Sequence, residues 1–254
     1  MKSHLPKMLL ALAFCVPFIF NASANEFVRG NAPKVVFDEN KGQVVNQVGL
    51  SRNDVLYMGT HGDAQYIITS NGVSHQLHAV NGEGENQSVS FHRIDMEWLG
   101  SSFQGKKQGY LKQEGTANYY SDSGNGIEGV TSFGEVRLFS VYPGVDVRAY
   151  SIDGVLEYDF ELAPNADWHQ IQIRVSGTTA RINSAGELEL STPLGVIRES
   201  APRVFQDGKK LDSRWVMNGS NTFGFEINNA VKGKAITIDP VVLIWSNQIG
   251  GSGN

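Results

Sequence analysis

From about residue 65 to residue 238 the chain repeats one pattern, short runs of alternating apolar and polar residues cut by glycine-containing turns. Ser90–Leu99 shows it best, with Ile94, Met96 and Trp98 on one side and Arg93, Asp95 and Glu97 on the other. A period of two sends successive side chains to opposite faces of a strand, so each run buries one face and needs a second layer to cover it. Val155–Leu162 repeats the pattern, with Leu156, Tyr158, Phe160 and Leu162 expected inward and Glu157, Asp159 and Glu161 outward. Further strands are expected over 65–69, 73–80, 136–142, 145–150, 169–175, 180–183, 187–191, 214–217, 222–227 and 235–238. Asn71-Gly72, Asp153-Gly154, Ala185-Gly186 and Asp207-Gly208 mark turns between them, glycine relieving the steric cost of positive φ. No run longer than ten residues holds an uninterrupted apolar stripe at helical spacing, which confines helix to about one turn near Pro164–Trp168. The expected fold class is all-β, an antiparallel β-sandwich-like architecture with little helix. It forms either one body or two lobes divided at the loop-like, polar stretch 100–129.

The N-terminus joins Lys2 and Lys7 to an apolar stretch, Met8–Phe20, and then Ala22-Ser23-Ala24. That three-part pattern reads as a secretory signal peptide over residues 1–24, too short in its apolar part to span a bilayer, which takes roughly 20 residues. Bulky Phe14 before Cys15 argues against a lipoprotein site. Export places the mature chain outside the cell or at its surface, with the periplasm as the alternative. Cleavage would remove Cys15, the single cysteine, and leave a disulfide-free domain that must stand on its own core. It would also leave 19 basic against 26 acidic residues, a charge of −7 that argues against nucleic acid as a partner. No second apolar span occurs further along, so no membrane span is expected after cleavage.

Several residues are candidates for chemistry. Asp146, after the Pro143-Gly144 turn, is placed either to ligate or to bond loop N–H groups, and the turn chemistry favours the second. Glu157, Asp159 and Glu161, at spacing two, have the composition of a glycosidase or Ca²⁺ site but read more simply as the solvated face of an amphipathic strand. His75 and His78 fall on opposite faces of a strand, which opposes a shared zinc. Asp122–Glu128 has oxygen ligands without EF-hand spacing, so no cofactor is expected beyond weak Ca²⁺ binding. Trp98 reads as core, whereas Trp168 and Trp215 are expected to be exposed, where a ring can stack on sugar. A G-x-S-x-G elbow and a phosphate-binding glycine loop are both absent from the sequence.

Six strings recur in an order that resembles a known family: Asp38-Glu39-Asn40-Lys41-Gly42-Gln43, Ala117-Asn118-Tyr119-Tyr120, Tyr142-Pro143-Gly144-Val145-Asp146-Val147, Leu156-Glu157-Tyr158-Asp159-Phe160, Ala163-Pro164-Asn165-Ala166-Asp167 and Ile238-Asp239-Pro240. The chain resembles the uncharacterised domain that precedes SBBP-type β-propeller repeats in exported bacterial proteins. Where that family has Pro-Gly-Ala-Asp, this chain has Pro164-Asn165-Ala166-Asp167, and Asn also tolerates left-handed geometry. The resemblance marks Asn40, Gly42, Gln43, Asn118, Tyr119, Pro143, Gly144, Asp146, Tyr158, Asp239 and Pro240 as structural motif residues. It implies an all-β domain over 25–240, with 241–254 opening a propeller-type repeat whose remainder lies downstream. No activity is carried over. The function expected is a noncatalytic module that caps or presents downstream propeller repeats in a surface or secreted protein of the kind used in adhesion, with an extracellular glycan or protein as a further partner. The alternative is a carbohydrate-binding or glycan-hydrolysing domain using Asp146, Glu157, Trp168 and Trp215.

Overall fold

A computed structural model describes residues 35–246 except 47, 63, 83–86, 121–125, 153 and 241, and the backbone alone of 242–246. The expected leader, Asp122–Asn125 and the glycine-rich end after Ser246 lie outside the described residues. Among the described residues twenty-one strands succeed one another: β1 Phe37–Glu39, β2 Val55–His61, β3 Ala64–Thr69, β4 Gly72–Asn81, β5 Ser88–Trp98, β6 Lys107–Lys112, β7 Ala117–Tyr120, β8 Gly126–Val130, β9 Ser132–Tyr142, β10 Val145–Ile152, β11 Val155–Leu162, β12 Ile173–Ser176, β13 Thr179–Ile182, β14 Leu188–Thr192, β15 Gly195–Glu199, β16 Arg203–Gln206, β17 Lys209–Leu211, β18 Ser213–Gly219, β19 Thr222–Ile227, β20 Ile236–Asp239 and β21 Val242–Ser246. Among the described residues the one helical element is a 3-10 turn, Trp168–Gln170, which opens on Asp167 accepting a hydrogen bond from His169 N at 3.0 Å.

The main sheet runs β17-β16-β20-β11-β10-β9-β1-β2-β3-β4-β5-β12-β19-β18, with β6 also on β9, and its pairings are antiparallel. Its two ends, β17 and β18, are joined by the single residue Asp212, so the sheet must curl until its edges nearly meet, a barrel-like shape. Side chains from opposite parts of the sheet therefore share one core: Phe160 of β11 packs edge-on against Trp98 of β5 at 5.7 Å and against Phe225 of β19 at 6.0 Å. A second sheet, β13-β14-β15-β21, adds Ala180, Leu188, Leu190 and Ile197 to that core, and β7-β8 forms a separate ribbon.

Three expectations need correction. The stretch 100–129 does not divide lobes. It contains β6, β7 and most of β8, and β6 lies in the main sheet against β9. No residue of β6 is buried, so the strand lacks the alternation that announces one, and Gly109 lies under the Phe133 ring. The strand expected over 169–175 begins only at Ile173, because the Asp167 cap winds the first residues into the 3-10 turn. Gly72 is not a left-handed turn residue; it lies within β4, where a Cβ would collide with Met96 O of β5. The other turn glycines within the described residues do take positive φ, +79° at Gly154, +79° at Gly186 and +72° at Gly208.

Candidate functional site

Asn40 donates from Nδ2 to Arg52 O (3.0 Å) and Val55 O (2.8 Å) and accepts at Oδ1 from Gly42 N (2.9 Å) and Val44 N (3.3 Å). An amide that uses two donors and two acceptors on backbone groups is a loop organiser. Gly42 turns there at φ +109°, and Gln43 closes the turn by donating to Glu39 O at 2.8 Å. Asn118 accepts from Gly129 N at 2.9 Å, and the Tyr119 hydroxyl donates to Asp38, tying the β7-β8 ribbon to β1. After Pro143, Gly144 takes φ +74°, as a type II turn requires, and Asn165 in the second turn takes φ +67°.

Asp146 agrees with the favoured reading. Two extra residues of β9 bulge between its pairings with Val145 and Val147, Ser140 takes φ +55°, and Asp146 Oδ1 accepts from Ser140 N at 2.7 Å to hold the bulge. Glu157 does not lie on a solvated face. It is 3 % exposed and Asp159 5 %, which corrects that expectation. The cause is the neighbouring strand: Tyr150 stands opposite Glu157 and Arg148 opposite Asp159, and those large side chains cover them. Trp215 is also buried rather than exposed, at 3 %, with Nε1 donating to Ser200 O at 2.8 Å and its ring 4.6 Å from Phe225. Trp168 is half-buried against the core, stacked on His169 at 4.8 Å. Asp146 stands opposite Glu161, four residues from the position opposite Glu157, about 13 Å along the ladder. Of the four candidate ligand residues, Glu157 and Trp215 are thus taken up by packing, and Asp146 is held by Ser140 N.

What the tertiary structure does assemble is a charged row across the outer side of the sheet. Gln108, Arg137, Arg148 and Asp159 face one another across β6, β9, β10 and β11. Asp239 lies one position beyond the last β11–β20 pair and carries the row to its partner Arg203 on β16. Glu135 bridges Arg137 and Arg148 at 2.9 Å each, Arg137 reaches Glu161 at 2.6 Å, and Arg203 reaches Asp239 at 2.7 Å. Burial works against the charge of Glu135, but the two guanidiniums outweigh it and hold its carboxyl below the ordinary range. Asp159 goes the other way, pushed up to about 6 by burial and by the charge of Asp239, with Arg148 only partly compensating. The Tyr150 hydroxyl donates to Asp159 at 3.2 Å while Arg148 lies over the Tyr150 ring at 4.3 Å.

His75 points inward and is buried, and His78 lies on the opposite face. His92 Nε2 is 2.7 Å from Gly177 O and His61 lies against Gly154, so the four do not converge. Among the described residues no group of three or more His, Cys, Asp or Glu is placed to hold a metal ion.

The remaining feature is the exit from the domain. After Ile238-Asp239-Pro240 the chain enters β21, which pairs antiparallel with β15 through Glu199↔Val242, Arg198↔Leu243 and Val196↔Ser246. Val242–Ser246 is the edge of the small sheet. On the inward face of β15, Glu199 is fully buried, and both its oxygens lie within hydrogen-bond distance of the Tyr158 hydroxyl of β11, at 3.3 and 3.2 Å. On the outward face Glu189 of β14 holds Arg181 at 2.6 Å and Arg198 at 3.2 Å. Glu199 was not a sequence candidate. Its one signal is an acid at the inward position two after Ile197, and Pro193-Leu194-Gly195 obscures the strand that makes it inward.

The model of a family described as Domain of unknown function (DUF7948) matches residues 37–241. No curated protein and no solved structure matches the chain.

Proposed function

The chain belongs to this family of domains of unknown function, and on that premise we propose that it is a noncatalytic presenting module of an exported bacterial protein, holding the downstream chain, propeller repeats of the SBBP type, in a fixed direction. The observation that carries the reading is the docking of β21 on β15 immediately after the Ile238-Asp239-Pro240 signature. A strand laddered into a sheet leaves with a defined heading, whereas a flexible linker would not set one. Motif residues serve the scaffold, and the charged row is internally paired, which suits a rigid mount. A sugar-binding role has less support, because Trp215 does not offer a ring face and Trp168 is half-buried. The leader pattern supports export, and the order of the six strings supports the context.

The test fuses an SBBP-type repeat array after Asn254 and compares its unfolding with that of the separate parts. One shared transition, with mutual protection from amide exchange at β15 and the first repeat, is expected. Independent transitions with no mutual protection would overturn the presenting role. Saturable binding on a glycan array, lost on Trp168→Ala, would favour the sugar reading instead.

A further inference from the structure

The contact between the small sheet and β11 is made in part by a carboxyl group with no cation. Glu199 is 0 % exposed, and none of the ion pairs among the described residues includes it. Its hydrogen-bond partner is the Tyr158 hydroxyl, which lies near both oxygens and supplies one proton. The charge of Glu157, the neighbour of Tyr158 on β11, also acts against the ionisation of Glu199. Its register neighbours, Leu188 on β14 and Val242 on β21, are not titratable, and Arg181, Arg198 and Glu189 occupy the other face of the small sheet. A carboxylate buried without a counter-charge is strongly disfavoured, so the neutral acid is the form that fits.

We propose that Glu199 and Tyr158 form a proton-dependent latch, in which the neutral carboxyl holds β13–β15 and β21 against the main sheet and its ionisation loosens them. The latch goes beyond the presenting role and is independent of any segment downstream of Ser246. Burial, opposed by the Tyr158 hydrogen bond and reinforced by Glu157, raises the Glu199 carboxyl to about 8. An opened small sheet returns it to water, where it ionises in the ordinary range near 4.5. The opened form thus holds fewer protons between those values, and rising pH favours opening until the closed form also ionises. Two groups four strands apart in sequence order, β11 and β15, are therefore coupled through one proton at the root of the exit strand.

Hydrogen exchange of the whole chain, corrected for intrinsic exchange rates, tests this at pH 6 and pH 9. The opening equilibrium of β14 and β15 is expected to rise about 10- to 100-fold, while β10 stays protected. Glu199→Gln, which keeps the shape and removes the charge, is expected to abolish the differential. A carboxyl ¹³C titration of Glu199 supplies the second readout, with a midpoint near 8 expected. A midpoint in the ordinary carboxylate range, or an equal pH response in the wild type and the Gln variant, would overturn the latch even if the presenting role held.

Discussion

At the scale of single residues, side chains with chemical potential are spent on packing and turn geometry. His75 shows what that costs. It is buried beside the Tyr66 ring at 5.6 Å, its Nε2 has no partner, and burial lowers its pKa from 6.5 to about 4. The unfolded chain takes up a proton near pH 6.5 and the folded chain does not, so stability is lost as pH falls from 6.5 toward 4, by about 2 kcal/mol at pH 4.5. His75→Phe should remove that part of the acid limb: urea midpoints at pH 7 and pH 4.5 should lie closer together than in the wild type, and an unchanged gap would refute the assignment. Asp146 and Gly144 were legible as turn chemistry because their bonds and geometry are local. Glu157, Trp215 and Glu199 were not, since their burial depends on neighbours from other strands.

At the scale of elements, long alternating strands were readable, whereas β2 and the shortest strands were not. β11 and β19 have the bounds expected for them, whereas β1, β6, β16 and β17 have no long alternating run to announce them. The edge strand β17 begins Lys209-Lys210, a composition that discourages edge-to-edge pairing. Close approach between elements gives a sharper test. Gly177 comes just after β12 at φ +80°, and a Cβ there would collide with the Arg93 carbonyl oxygen of β5, whereas Gly208, at φ +72°, has open space around it. Gly208→Ala should cost about 1 kcal/mol from the backbone alone. Gly177→Ala should cost at least about 2 kcal/mol more, because neither backbone can move without breaking the β5–β12 ladder. Denaturant titration of both variants decides it; equal losses would mean that the contact is soft.

At the scale of the whole molecule, closure comes from the late strands. β20 enters between β11 and β16, and β21 completes the small sheet, so the last described residues hold together parts made much earlier in the chain. A chain ending at Pro240 should keep the main sheet and lose about 2–4 kcal/mol from the bared edge of β15, with faster exchange at Val196 and Arg198 and little change at β10. Unaltered exchange at β15 would show that β21 contributes nothing to the domain. The sequence by itself determined the all-β class, the local hairpins, the turns that need glycine or asparagine, and the inward faces of the long strands, because alternation and φ preference act between residues close in the chain. Only the tertiary structure decided the order of strands in the curled sheet, the burial of Asp159 and Glu199, and the docking of the exit strand. Those depend on partners brought from distant positions, and a one-dimensional pattern shows that a face must be covered without showing what covers it.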